Sequence, residues 1–232
     1  MTLEKILRSQ GFGSRKECRQ LIWNERVSVA GRLITDHDED LPCDGLVFTV
    51  DSQEWTFRKQ LYIGLHKPPN YECSRKPNHH PGILSLLPQE YVNRNVQPVG
   101  RLDHDTTGLL LLSDDGGFIH AQSSPKRHVR KTYEATVFEA VTPQLVAQLQ
   151  AGVQLIDEDK PIAAQVRILD TYKLEISIDQ GKYHQVKRML VAAGNHCVSL
   201  RRSAIGELTL DSLNLPMGQW CHLEPEHLAQ LI

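Results

Sequence analysis

Long apolar runs are missing from this chain: the longest are a handful of residues, Leu109-Leu110-Leu111-Leu112 among them, whereas a membrane-crossing helix needs roughly 20. No membrane partner is therefore expected. The start, Met1-Thr2-Leu3-Glu4-Lys5, enters an amphipathic pattern at once instead of a basic and then apolar leader, and the protein is expected to stay in the cytoplasm. Cysteine is sparse and scattered. Its five occurrences (Cys18, Cys43, Cys73, Cys197, Cys221) are odd in number and contain no C-x-x-C, which excludes a disulfide framework and a cysteine-pair metal or redox site. An excess of one charge is missing too, since the formal net charge is -2. With 40% hydrophobic and 23% charged residues the composition is that of a globular protein with a real core. A length of 232 residues suits a small domain followed by a larger one.

The near-neutral total hides an asymmetry. Residues 1–35 hold seven Lys and Arg against three Glu, whereas residues 36–54 hold seven Asp and Glu and no Lys or Arg. Leu3, Ile6 and Leu7 repeat at helical spacing before Gly11 and Gly13. Ser14 stands three before Glu17, a capping-box pattern, and Cys18, Leu21 and Ile22 supply the buried stripe of a second helix whose other face carries Arg15, Lys16 and Arg19. Val27-Ser28-Val29 and Leu33-Ile34 around Ala30-Gly31 read as a hairpin. Clustered cations on one face call for an anionic partner, and RNA phosphate is the natural one. Trp55 to Lys59 reads as the junction.

Beyond it, Leu61 to Leu65 is a buried strand stopped by Lys67-Pro68-Pro69-Asn70. His79 and His80 are adjacent, so in extended chain their rings point apart, and no Cys or further His stands at ligand spacing; no metal is expected. Ser113-Asp114-Asp115-Gly116-Gly117 reads as a turn. Thr142-Pro143 opens a helix that Gly152 ends. Ala164 to Leu169 and Tyr172 to Ile178 are paired strands, and Cys197 to Leu200 and Ile205 to Leu210 are two more with Arg201 and Arg202 between them.

Three stretches carry chemistry. Gly100-Arg101-Leu102-Asp103-His104-Asp105-Thr106-Thr107-Gly108 is a glycine-bracketed loop with a cation and carboxylates, feeding the leucine strand. Ser124 to Lys131 is the densest basic run, with Lys126, Arg127, Arg130 and Lys131, and it leads to the strand of Tyr133; cations that hold a backbone beside a ring that stacks on a base suit nucleic acid. In Gln180 to Leu190, Val186, Met189, Leu190 and Ala193 give one helix face to the core, while His184, Lys187 and Arg188 share another. Cations at a helix start oppose its dipole, so Asp103, phosphate or both should face them.

Residues 13–31 (Gly13-Ser14-Arg15, Leu21-Ile22, Arg26-Val27-Ser28-Val29-Ala30-Gly31) resemble the S4 RNA-binding domain, although Ala30 stands where Asn or Asp is usual. Gly100-Arg101-Leu102-Asp103 with Thr106 to Leu112, Lys131-Thr132-Tyr133, and Gly181 with His184-Gln185-Val186-Lys187-Arg188-Met189 resemble, as an ordered set, the pseudouridine synthases. Asn70 replaces the glycine usual after the Lys-Pro pair, and Cys221 stands where relatives often carry arginine. The resemblance implies an α+β protein: an S4-like domain over 1–58, then a catalytic domain over 59–232 with a mixed, largely antiparallel sheet flanked by helices. It implies isomerisation of uridine to pseudouridine in 16S ribosomal RNA, on free RNA or a small-subunit assembly intermediate, by a monomer without cofactor. Asp103 would be the catalytic carboxylate, with Arg101 holding the opened backbone, Tyr133 stacking on the extruded uracil and Lys187 favouring the anion. Arg15, Lys16, Arg19, Arg26, Lys126, Arg127, Arg130, Lys131, His184, Gln185, Arg188 and Arg202 would contact RNA. Whether Asp103 attacks the sugar, attacks the base or removes a ribose proton stays open.

Two readings of other classes compete. Asp103-His104-Asp105-Thr106-Thr107 also fits the D-x-D-x-T loop of aspartate-nucleophile phosphatases, but Gln97-Pro98-Val99-Gly100-Arg101 is a poor version of the apolar strand that precedes such loops. A non-catalytic RNA-binding assembly factor would use the S4-like surface alone. Within the resemblance, large-subunit RNA is the alternative substrate.

Overall fold

The computed structural model describes residues 1–124 and 127–231, and the chain divides into two compact units, residues 1–61 with 87–97 and residues 62–86 with 98–232. In the first, helices α1 (Leu3–Ser9) and α2 (Arg15–Trp23) accompany strands β1 (Val27–Val29), β2 (Arg32–Leu33), β3 (Val47–Val50) and β4 (Gln53–Thr56), ordered β2-β1-β3-β4. The capping box forms at α2, with Ser14 N–H donating to Glu17 Oε2 at 2.7 Å and Glu17 N–H to Ser14 Oγ at 3.4 Å. Leu3, Ile6, Leu7, Cys18, Ile22 and Phe48 close the core. At the β1–β2 turn Ala30 (φ 48°) and Gly31 (φ 76°) are both left-handed, the geometry that matches strand twist in a two-residue hairpin. The β3–β4 hairpin was hidden in the acidic stretch, its turn built by left-handed Asp51 and Ser52. Residues 87–97 join this unit through α3 (Gln89–Asn93). There Tyr91 packs edge-on against Trp55, 6.0 Å between centroids, and Asn93 Nδ2–H donates to the Gly11 carbonyl at 2.8 Å.

In the second unit β5 (Tyr62–Lys67) precedes a 3-10 turn at Ile83–Leu86, and the chain returns from α3 through β6 (Gln97–Pro98). There follow β7 (Thr107–Ser113), α4 (Gly116–Ser123), β8 (Lys131–Val137), α5 (Pro143–Ala151), β9 (Gln165–Asp170), β10 (Lys173–Ile178), α6 (Gln185–Ala192), β11 (Cys197–Ile205), β12 (Leu208–Thr209), β13 (Trp220–His222) and α7 (Pro225–Ala229). The sheet runs β13-β5-β7-β11-β8-β10-β9 with β12 beside β11. Along that path the β7–β11 pair is parallel and the others are antiparallel. Leu109 to Leu112 are at most 1% exposed, as expected of a strand covered on both faces.

Two expectations need correction. Asp115 is not a turn former but the N-cap of α4: its Oδ1 accepts from Gly117 N–H and Phe118 N–H, and its Oδ2 from the Tyr62 hydroxyl at 2.8 Å. Burial together with that hydrogen bond pushes the Tyr62 pKa up to about 12. Likewise Arg201 and Arg202 do not separate two strands. They lie inside the continuous β11, which pairs with β8 from Cys197 to Ile205.

Candidate active site

The loop from Gly100 to Gly108 is fixed from several sides. Where it begins, Val99 N–H donates to the Leu111 carbonyl at 2.8 Å, and within it Thr106 N–H donates to the Asp103 carbonyl at 3.1 Å. Where it ends, Gly108 has φ 107°, and a Cβ there would lie 2.2 Å from the Arg202 carbonyl oxygen and 2.6 Å from its nitrogen. Both obstacles are backbone, so only glycine fits. Beneath the loop lies Lys67, which is fully buried. Its Nζ donates to the carbonyls of Pro68 (3.0 Å), His104 (3.0 Å) and Thr106 (2.9 Å), while burial pushes its pKa down. Asn70 N–H adds a 2.7 Å bond to the His104 carbonyl from a left-handed backbone, φ 62°, a conformation that asparagine tolerates better than most residues. That is how Asn70 can stand in place of glycine.

Thus held, Asp103 presents a partly exposed carboxylate to the His184 imidazole and the Lys187 ammonium at the α6 start. Its Oδ1 lies 3.2 Å from His184 Nε2 and its Oδ2 lies 3.1 Å from Lys187 Nζ. Lys187 also donates to both oxygens of Asp105, at 2.7 and 2.9 Å. Burial acts to lower the Lys187 pKa, but the hydrogen bonds its ammonium donates to Asp105 and Asp103 outweigh it and the pKa is raised. For Asp105 burial acts upward and the Lys187 ammonium wins, so its pKa is lowered. The α6 start therefore faces two carboxylates. The sequence marks Asp105 as a loop carboxylate but assigns it no role beside Lys187. His184 caps α6 in the left-handed region, φ 47°.

A cavity of about 520 Å³ opens beside Asp103, and Arg101, Lys131, Tyr133, His184, Gln185 and Lys187 contribute to its wall. Tyr133 is 8% exposed, on the β8 face of the cavity. Opposite it in the ladder is Arg202, 4% exposed, whose Nε–H donates to the Leu109 carbonyl at 2.7 Å. Burial, aided by Arg202, lowers the pKa of Lys131. Gln185 is nearly fully buried, its Oε1 accepting from Lys182 N–H at 3.0 Å. Arg101 is exposed. The cavity thus offers the carboxylates of Asp103 and Asp179, a ring and several cations.

The remaining candidates are dispersed. Arg127 and Arg130 are exposed; Lys126 lies outside the described residues. Arg188 pairs with Asp157 and donates to the Tyr183 carbonyl at 3.2 Å. In the first unit, Arg15 and Arg19 reach the buried Glu4 through Nε at 3.2 and 3.0 Å, and Arg8 joins them. Burial acts to raise the Glu4 pKa, but the three guanidiniums lower it overall. Arg26 forms a two-pronged pair with Asp51. Lys16 makes no ion pair among the described residues. The cationic face is thus partly neutralised by carboxylates that spacing alone did not bring near. His80 stacks on His104, 4.7 Å between ring centroids. Glu72 accepts the backbone N–H groups of Asn78, His79 and His80. Those bonds, the one from His79 foremost, hold its pKa at about 2.

The loop carboxylate of Asp103 thus lies between an imidazole and an ammonium, beside a cavity that the Tyr133 ring also lines. Residues 61–192 match the family model described as RNA pseudouridylate synthase. The chain belongs to that family. It is 36% identical over 232 residues to the ribosomal small subunit pseudouridine synthase A of Salmonella typhimurium and 36% identical over 239 residues to that of Escherichia coli K12, each match covering the whole of both proteins. It is 33% identical over 235 residues to the uncharacterized RNA pseudouridine synthase YtzG of Bacillus subtilis, covering all of this chain and 98% of that one. A crystal structure of a pseudouridylate synthase superposes with a TM-score of 0.70 at 31% identity, with full coverage of both chains.

Proposed function

We propose that the chain converts uridine to pseudouridine in 16S ribosomal RNA with Asp103 as the catalytic carboxylate. The observation that carries this reading is the Asp103 carboxylate 3.1 Å from Lys187 Nζ and 3.2 Å from His184 Nε2 at the rim of a cavity; the small-subunit enzymes named above support the choice of RNA. Breaking the base-to-ribose bond and rejoining the same uracil through carbon needs no second substrate, so one ionised carboxylate suffices where hydrolysis uses two. Lys187 Nζ, 3.1 Å from Asp103 Oδ2, sets a positive charge beside that carboxylate. Extruding the uridine costs a few kcal/mol, and a stack on Tyr133 returns roughly 1 to 3 kcal/mol of it. Arg101, at the exposed side, holds the opened backbone. Residues 1–58 act as an S4-like RNA-binding domain, ahead of a catalytic domain over 59–232. Arg15, Lys16, Arg19, Arg26, Lys126, Arg127, Arg130, Lys131, His184, Gln185, Arg188 and Arg202 contact RNA, mostly its phosphates. Such contacts position without reading sequence, which favours folded RNA in an assembly intermediate as the substrate of a monomer that needs no cofactor.

Tritium release from small-subunit RNA labelled at uracil C5 tests the reading. Asp103→Asn should abolish release while RNA binding persists; retained turnover rules Asp103 out. Carbodiimide mapping in cells lacking the protein should lose one small-subunit site, and loss only from large-subunit or transfer RNA would redirect the substrate.

A further inference from the structure

Tyr183 is 76% exposed and is not part of the cavity wall. Its ring is nonetheless fixed: it stacks on the His184 imidazole at 3.8 Å between centroids and 18° between planes. Adjacent side chains of extended chain diverge, and the left-handed backbone at His184 (φ 47°, ψ 31°) brings these two together. Non-glycine residues in that region carry strain and cluster at functional sites. The backbone around the ring is secured as well. Arg188 Nη1–H donates to the Tyr183 carbonyl at 3.2 Å, and Lys182 N–H donates to Gln185 Oε1 at 3.0 Å. Lys182 and Arg188 in turn pair with Glu158 and Asp157. A rigid, exposed aromatic ring stacked on a residue 3.2 Å from the Asp103 carboxylate is a surface for a flat, apolar-faced ligand, and unstacked bases bind such rings.

We propose that Tyr183 is a stacking platform for a nucleobase flanking the target uridine, outside the cavity that takes the uridine itself. This rests on the proposed activity toward RNA. Because the uridine is drawn into the cavity, its neighbour loses a stacking partner, and the Tyr183 ring replaces it. Tyr183 is thereby an RNA-positioning residue that acts on the conformation of the strand, whatever the stacked base, and not on the bond being broken.

The test uses the full chain and a folded ribosomal RNA fragment that wild type modifies, with Tyr183→Leu and Tyr183→Phe. The leucine variant should raise KM and the RNA Kd about 10-fold or more, leave kcat within about twofold and keep the pH profile of kcat; the phenylalanine variant should match wild type. An abasic nucleotide on the stacked side of the uridine should raise wild-type KM and abolish the difference between wild type and Tyr183→Leu. An unchanged KM and Kd in the leucine variant overturns the proposal. So does a change confined to kcat or its pH profile, which would mean that the ring only supports His184, or a difference that survives abasic nucleotides on both sides. Failure of wild type to form pseudouridine in any ribosomal RNA refutes the activity instead, and the Kd comparison still decides the stack.

Discussion

Replacing Lys67 by methionine keeps the length of the side chain and removes one buried ammonium with its three carbonyl bonds. Two of those carbonyls, His104 and Thr106, flank Asp105 in the loop that carries Asp103. Hydrogen bonds to a charged group contribute about 1.5 to 3 kcal/mol each, so the two loop bonds together hold the loop by about 3 to 6 kcal/mol. Relief of burying the ammonium, a burden visible in its lowered pKa, offsets roughly half of that. About 1.5 to 3 kcal/mol of net loosening remains, and in a domain of this size it lowers Tm by roughly 3 to 12 °C. With Asp103 as the proposed catalytic carboxylate, the effect on rate is larger than the thermal one, because a reacting group displaced by about 1 Å loses roughly 100-fold. Single-turnover conversion at saturating RNA should fall by about that factor in Lys67→Met, while RNA affinity, set elsewhere, stays within about twofold. A wild-type rate in a variant with lowered Tm would show that the Val99, Asn70 and Thr106 backbone bonds hold Asp103 alone, and the argument for Lys67 as a positioning residue would fail.

Ala30→Asn places a residue suited to the left-handed region at φ 48° and should raise stability by about 0.5 to 1 kcal/mol, read as a higher urea midpoint; no gain would mean that the turn is not strained. Glu72 has a folded pKa near 2 against an ordinary 4.5, so its contribution is full above about 4.5 and fades as pH falls through the window toward 2. Amide exchange at Asn78, His79 and His80 should accelerate in that window, and Glu72→Gln should show the fast exchange at neutral pH; equal protection in both proteins would count against the carboxylate as anchor. Asp105→Asn frees Lys187 from one of its two carboxylates, so the Lys187 pKa should drop in a titration followed by labelled-lysine NMR, and an unmoved value would show that Asp103 alone sets it.

What could be read from the chain and what could not divide on physical lines. The α2 cap, the α5 start at Thr142-Pro143 and the paired β9 and β10 follow from local rules, and they are present because nothing distant opposes them. The β11 strand was hidden because Arg201 and Arg202 interrupt its apolar alternation. Arg202 is tolerated inside only because its Nε–H reaches the Leu109 carbonyl, a partner 93 positions away. Similarly, Asp114-Asp115-Gly116-Gly117 has turn composition, and the second aspartate became a helix cap once Tyr62 could bond it. In the site, Asp103 and Lys187 stood out by motif. Lys67 did not, since before two prolines it looked like the end of a strand, and a lysine's burial against carbonyls of a later loop leaves no local mark.

The order of the strands sets when catalysis can begin in the life of the chain. Strands β7 and β8 are consecutive in sequence but not neighbours in the sheet; β11 lies between them, parallel to one and antiparallel to the other. The loop of Asp103 leads into β7 and Tyr133 lies on β8, so their separation is set by a strand that is synthesised about 90 residues after the loop. A ribosome adding roughly 5 to 20 residues per second therefore carries a tethered chain that bears Asp103 for several seconds before β11, which supplies Leu200, Arg202 and Ile205 to the cavity wall, has been made.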